Sequence, residues 1–166
     1  MSLDMDNELI VLSAAVGTAC RQHQLTIATA ESCTGGWAAQ VITHTAGSSA
    51  WFDRGFITYS NAAKIDMLGV QRQTLDLYGA VSTETAMEMA KGATENSNAM
   101  ISLAITGVAG PGGGSPDKPV GTVSFAWCIK GQTAEEDQCH FSGDREAIRR
   151  QAVKHALEGL LARIKS

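Results

Sequence analysis

A serine, a lysine and a glycine-rich loop carry the chemistry legible in this 166-residue chain. Ser32 lies in Ala30-Glu31-Ser32-Cys33-Thr34-Gly35-Gly36. An apolar run (Leu25, Ile27, Ala28, Ala30) precedes it, and a segment of helical rhythm (Trp37 to Ile42) follows. A hydroxyl at such a strand-to-helix junction sits beside unpaired backbone N–H groups at the positive end of the helix. Those groups can stabilise an oxyanion or a phosphate. Serine is also a preferred N-cap, so spacing alone leaves Ser32 either a cap or a nucleophile. Cys33 is a rival nucleophile, because a helix N-terminus lowers thiol pKa, or else a small buried hydrophobe. Glu31 reads as an acid–base group or as part of the turn.

The next strand candidate ends in Tyr59-Ser60-Asn61-Ala62-Ala63-Lys64. If residues 25–30 and 52–59 are parallel neighbours, Tyr59 and the first turn of the Lys64 helix face the same crevice as Ser32. A partly buried lysine there has a depressed pKa and can act as a general base; a surface lysine is the alternative. Tyr59 is either a core aromatic or a hydroxyl in the crevice. The loop from Thr106 to Pro119 holds all three prolines and five of the 17 glycines. Loops at the carboxyl ends of strands form ligand crevices in open α/β sheets, and glycines let backbone N–H groups approach a phosphate. Neither a Walker A loop nor G-x-G-x-x-G is completed, so a flexible connector remains the alternative.

These residues need a scaffold, and periodicity supplies one. Leu9, Leu12, Val16, Ala19 and Cys20 mark a first helix ending near His23. Strands follow at 25–30 and 52–59, with a helix at 34–44 between them. Asn61 to Leu68 reads as a short helix ended by Gly69, and Ser82 caps a helix over 83–96 with Ala86, Met89, Ala90 and Ala93 inward. Further strands are expected at 100–105, 120–129 and 133–141, the last two joined by a turn at Lys130-Gly131-Gln132. A helix over 144–164 buries Ile148, Ala152, Val153, Ala156, Leu160 and Ile164. The expectation is a single α/β domain spanning 1–166, a three-layer α/β/α sandwich on a mixed, mostly parallel sheet, with 1–5 a disordered extension.

Composition narrows the function. The hydrophobic share, 44%, suits a chain able to fold without disulfides or metal. Cys20, Cys33, Cys128 and Cys139 form no CxxC pair, and His23, His44, His140 and His155 show no ligand spacing, so neither metal nor cofactor is expected. A net charge of −4 argues against nucleic acid. No apolar run is long enough to span a membrane, and no signal peptide is visible, which points to the cytoplasm. Arg145, Arg149, Arg150 and Lys154 read as a solvated helix face or as part of an anion site.

Together, the Ser32 segment, the segment from Tyr59 to Lys64, Thr106-Gly107-Val108-Ala109-Gly110-Pro111-Gly112-Gly113 and Val120-Gly121-Thr122-Val123 resemble the CinA C-terminal domain family. The resemblance covers about residues 6–164 in four ordered motifs. It implies hydrolysis of the carboxamide of nicotinamide mononucleotide to nicotinate mononucleotide and ammonia, in pyridine-nucleotide salvage. It further implies Ser32 as nucleophile, Lys64 as general base and Tyr59 as an assisting hydroxyl. Substrate contacts would come from Cys33, Thr34, Gly35, Gly36, Asn61, Thr106, Gly107, Gly110, Gly112 and Arg145. Two-domain relatives carry an N-terminal domain resembling molybdopterin-binding proteins, and this chain resembles the stand-alone form. A homo-oligomer, a dimer by expectation, is implied. The competing expectation is a non-catalytic pyridine-nucleotide-binding or competence-related regulatory paralogue.

Overall fold

The computed structural model describes residues 3–165, with side chains from residue 6 onward. Three strands are buried on both faces almost throughout: β1 (Ile27–Glu31), β3 (Ile101–Gly107) and β4 (Thr122–Ile129). Such strands belong in the middle of a covered sheet. The more exposed β2 (Phe52–Ile57) and β5 (Glu135–His140) take its edges, giving the order β2-β1-β3-β4-β5. β1 runs parallel to β2 and β3, whereas the β3–β4 and β4–β5 pairs are antiparallel. The expected mostly parallel sheet is therefore evenly divided. A parallel return needs a crossover, usually a helix. The glycine-rich loop supplies none, so β4 comes back antiparallel.

The pleat sends alternate residues into two cores. Ile27, Ile101, Leu103, Ile105, Phe125 and Trp127 pack with buried residues of α1 (Leu3–His23), α2 (Trp37–His44) and α6 (Arg145–Lys165). Ala28, Ala30, Ala104 and Ala126 instead meet Ala86, Met89, Ala90 and Ala93 of α5 (Thr83–Glu95). Small strand residues let α5 lie close to the sheet, and the Ser102 hydroxyl donates to Ala90 O at 2.6 Å across that interface. Ser82 caps α5 as expected, accepting from Thr85 N–H. The inward faces expected for α5 and α6 are buried.

Three elements differ from these expectations. Helix α1 starts at Leu3, so residues 3–5 are helical rather than an extension; residues 1 and 2 lie outside the described residues. Helix α2 begins at Trp37 rather than 34, because Gly35 and Gly36 stand at φ of 60° and 102°, outside the helical region. Helix α3 (Asn61–Leu68) matches its expected bounds. The seven-residue α4 (Arg72–Tyr78) is too short to display an apolar stripe, and it is fastened to α5 by Glu88, which accepts from Gln71 N–H and the Thr74 hydroxyl.

Candidate active site

Parallel pairing puts the carboxyl ends of β2, β1 and β3 side by side. Glu31 is in register with Ile57 and Ile105, and the ladders run one residue further: Thr58 N–H donates to Glu31 O, and Ser32 N–H to Ile105 O. Ser32 is thereby fixed at the end of β1, between β2 and β3. After Thr58 the chain turns into α3, whose N-cap Ser60 accepts from Ala63 N–H. One turn into that helix, Lys64 points back toward the strand ends.

The ammonium group of Lys64 donates to Ser32 Oγ at 3.0 Å and to Thr58 O at 2.8 Å. Lys64 is 1% exposed and Ser32 8%, so the pair meets away from bulk water. No carboxylate contacts the ammonium among the described residues. Burial holds the Lys64 pKa below its ordinary value, opposed by the nearby Cys33 sulfur. The sequence left a surface lysine open as the alternative; the structure buries it.

Ser32 is not the cap of α2. Its junction is a turn whose Gly35 N–H donates to Ser32 O, and the helix cap is Gly36, with no side-chain bond of its own. The capping group is Glu31, 1% exposed. Its carboxylate accepts from Ala38 N–H at 2.9 Å, Ala39 N–H at 3.1 Å and the Thr34 hydroxyl at 2.6 Å. A buried carboxylate thus satisfies orphan amides at the positive helix end and pins the turn beside Ser32. Glu31→Ala is expected to lower stability by about 2–4 kcal/mol, the range for losing a cap together with charged hydrogen bonds. Urea unfolding monitored by circular dichroism measures it.

Cys33 is no thiolate at neutral pH: burial pushes its pKa up to about 11, outweighing the attraction of Arg149. The basic cluster is not a solvated face either. Arg149 donates to Cys33 O at 2.9 Å and Thr34 O at 3.2 Å, clamping the Ser32 turn to α6. Arg150, 3% exposed, pairs with Asp6 and Glu146, and Lys154 with Glu8.

A cavity of about 340 Å³ opens over the pair. Ser32, Cys33, Tyr59, Lys64, Thr106, Gly107, Gly110, Gly112 and Arg145 line it; Thr34, Gly35, Gly36 and Asn61 do not. Thr34 and the two glycines are absorbed by the turn, and Asn61 is exposed in the first turn of α3. Tyr59 is 61% exposed, so the core-aromatic alternative falls. Its hydroxyl accepts from Arg145 Nη2 at 3.1 Å, while Arg145 Nη1 donates to Gly110 O at 2.7 Å. Arg145 therefore bridges the tyrosine to the glycine-rich loop. The Thr106 hydroxyl is spent on Ala80 O. Val108, Ala109, Gly113 and Gly114 of the loop also line the cavity, and Ala80 and Val81, which join them, were not foreseen, since no residue type there signals a site. Larger clefts of about 540 and 560 Å³ lie beside α5 and between α1 and α6, but neither joins a nucleophile to a base.

Residues 10–164 match the CinA C-terminal domain. The chain belongs to the CinA C-terminal domain family. Within it, the chain is 54% identical over 156 residues to the nicotinamide-nucleotide amidohydrolase PncC of Escherichia coli K12, covering 93% of this chain and 94% of that protein. PncC of Pseudomonas putida is 48% identical over 153 residues, covering 92% and 95%. Among solved structures, the competence/damage inducible protein CihA from Agrobacterium tumefaciens superposes with a TM-score of 0.92 at 44% identity, covering 96% of each chain. No helix among the described residues of this family member is long and apolar enough to cross a membrane.

Proposed function

We propose that this chain is an amidohydrolase converting nicotinamide mononucleotide to nicotinate mononucleotide and ammonia, with Ser32 as nucleophile and Lys64 as its base. The observation that carries the reading is the 3.0 Å contact between Lys64 Nζ and Ser32 Oγ under the cavity. The PncC relatives, alike over almost their whole length, supply the substrate.

The chemistry balances through one proton carrier. Neutral Lys64 accepts the Ser32 proton as Oγ attacks the carboxamide carbon, forming a tetrahedral oxyanion. Among the described residues the Cys33 amide, at the cavity wall, donates to no backbone carbonyl, and it is the donor we assign to that oxyanion. Collapse expels ammonia, which takes the proton from Lys64, and leaves an acyl ester on Ser32. Water adds to the ester while Lys64 takes its proton. The second collapse returns the proton to Ser32 Oγ and releases the carboxylic acid, which loses its remaining proton to solvent to become the carboxylate. A buried lysine suits this cycle because its depressed pKa makes the neutral form accessible.

The cavity volume falls within the range of small-molecule sites. Arg145 offers a planar fork at its rim, suited to the 5′-phosphate, beside the Gly110–Gly114 backbone. Arg145→Ala is expected to raise KM for nicotinamide mononucleotide about tenfold or more with a smaller change in kcat, and to leave hydrolysis of phosphate-free nicotinamide riboside unaltered. Equal loss on both substrates would remove Arg145 from the phosphate site. The reading as a whole is tested by ammonia release from nicotinamide mononucleotide: binding without turnover would make the chain a nucleotide-binding protein instead.

A further inference from the structure

Away from the Ser32 cavity, strand β5 and helix α6 bring three metal-ligating side chains together. Asp137 and Cys139, two residues apart on β5, point the same way, and His155 meets them from α6. His155 Nε2 lies 2.8 Å from Asp137 Oδ2 and 3.5 Å from Cys139 Sγ, and Sγ lies 3.9 Å from Oδ2. Among the described residues this is the one group of three such side chains whose ligand atoms all fall within 4.8 Å. None of the three lines the Ser32 cavity.

A nucleophilic triad would use both imidazole nitrogens, one toward the thiol and one toward the carboxylate. Here both neighbours converge on Nε2, so the arrangement is not a triad. It is a triangle of donors around one point. Tetrahedral zinc with ordinary bond lengths spaces its S, N and O ligands about 3.4–3.6 Å apart. The observed triangle reaches that spacing by movements of about 0.6 Å or less, within the play of an exposed Asp137 and an edge strand. The ring contacts support the geometry. Phe125 lies 4.5 Å from the His155 ring, and Trp127 and Phe141 stand 6.1 and 6.2 Å away, fixing the imidazole plane. Asp137 Oδ1 is held by Gln138 N–H, leaving Oδ2 toward the cluster.

We propose that Asp137, Cys139 and His155 form a zinc site of mixed S, N and O donors, with water as fourth ligand, that ties the edge strand β5 to α6. Zinc suits a borderline-soft tetrahedral set, and binding releases the Cys139 thiol proton to solvent. The site stands independently of the amidohydrolase reading.

Cobalt(II) serves as the optical probe for zinc. Chelator-treated protein titrated with cobalt(II) is expected to bind one ion per chain, with a thiolate-to-cobalt charge-transfer band and tetrahedral visible bands that zinc abolishes. Cys139→Ser should remove the charge-transfer band and weaken zinc binding beyond the roughly 100-fold that loss of an outer-shell partner costs. Absence of the band in wild type, or its survival in Cys139→Ser, overturns the proposal. A second measurement needs no variant. Cys139 is the partly exposed cysteine and the other three are buried. Zinc is expected to slow its alkylation by iodoacetamide, mapped by mass spectrometry, and an unchanged rate counts against the site.

Discussion

Ser32→Ala is expected to reduce ammonia release from nicotinamide mononucleotide by about 10,000-fold or more, toward the residual that binding and oxyanion donors provide without a nucleophile. The fold should survive. The backbone bonds that fix the position, Ser32 N–H to Ile105 O and Gly35 N–H to Ser32 O, do not involve the side chain. Lys64 loses one acceptor and keeps Thr58 O, so stability should change by about 1 kcal/mol or less. The variant should therefore bind the nucleotide as wild type does while failing to turn it over. Calorimetric titration of the nucleotide beside the ammonia assay separates the two quantities. Full activity in Ser32→Ala would remove the nucleophile from the scheme. Activity lost only in Cys33→Ala would move the role to the thiol, against the protonated state that burial gives it.

How far the site was legible in the sequence depended on whether a contact followed from strand geometry. The meeting of Ser32 and Lys64 did follow: two parallel neighbours end together, and the helix after the second must start beside the turn after the first. Glu31 was ambiguous because its role depends on which amides Gly35 and Gly36 leave free, and that is set by φ angles no residue pattern states. The arginines of α6 were left between a solvated face and an anion site for a related reason. Helical spacing shows which face is apolar, but not that Arg149 and Arg150 lie between that face and neighbours offering carbonyls and carboxylates. Asp137, Cys139 and His155 show no ligand spacing in sequence, since an edge strand and a distant helix supply them separately.

Lys64→Met should be as informative, because the side chain's length is kept while the ammonium is lost. Activity is expected to fall by about 100- to 10,000-fold, the range for a removed general base, with Ser32 still present. The accompanying change in stability has a definite sign. Burial holds the folded-state pKa of Lys64 below the ordinary 10.5 of the unfolded chain, so between those two values the unfolded chain binds more protons. Stability therefore rises with pH across that window. The contribution is present in full above 10.5 and is lost as pH falls through the folded value. Lys64→Met removes this slope. The variant's urea-derived stability should be flatter with pH below 10.5 than that of wild type, and its relative stability should improve toward acid, where wild type must bury a cation. The same depressed pKa should shape catalysis: wild-type kcat should climb with pH as Lys64 becomes neutral, and the remnant activity of the methionine variant should lack that rise. An unchanged stability slope would mean that Lys64 titrates alike in the folded and unfolded chain, which would contradict its burial and leave the base without a reason to be neutral.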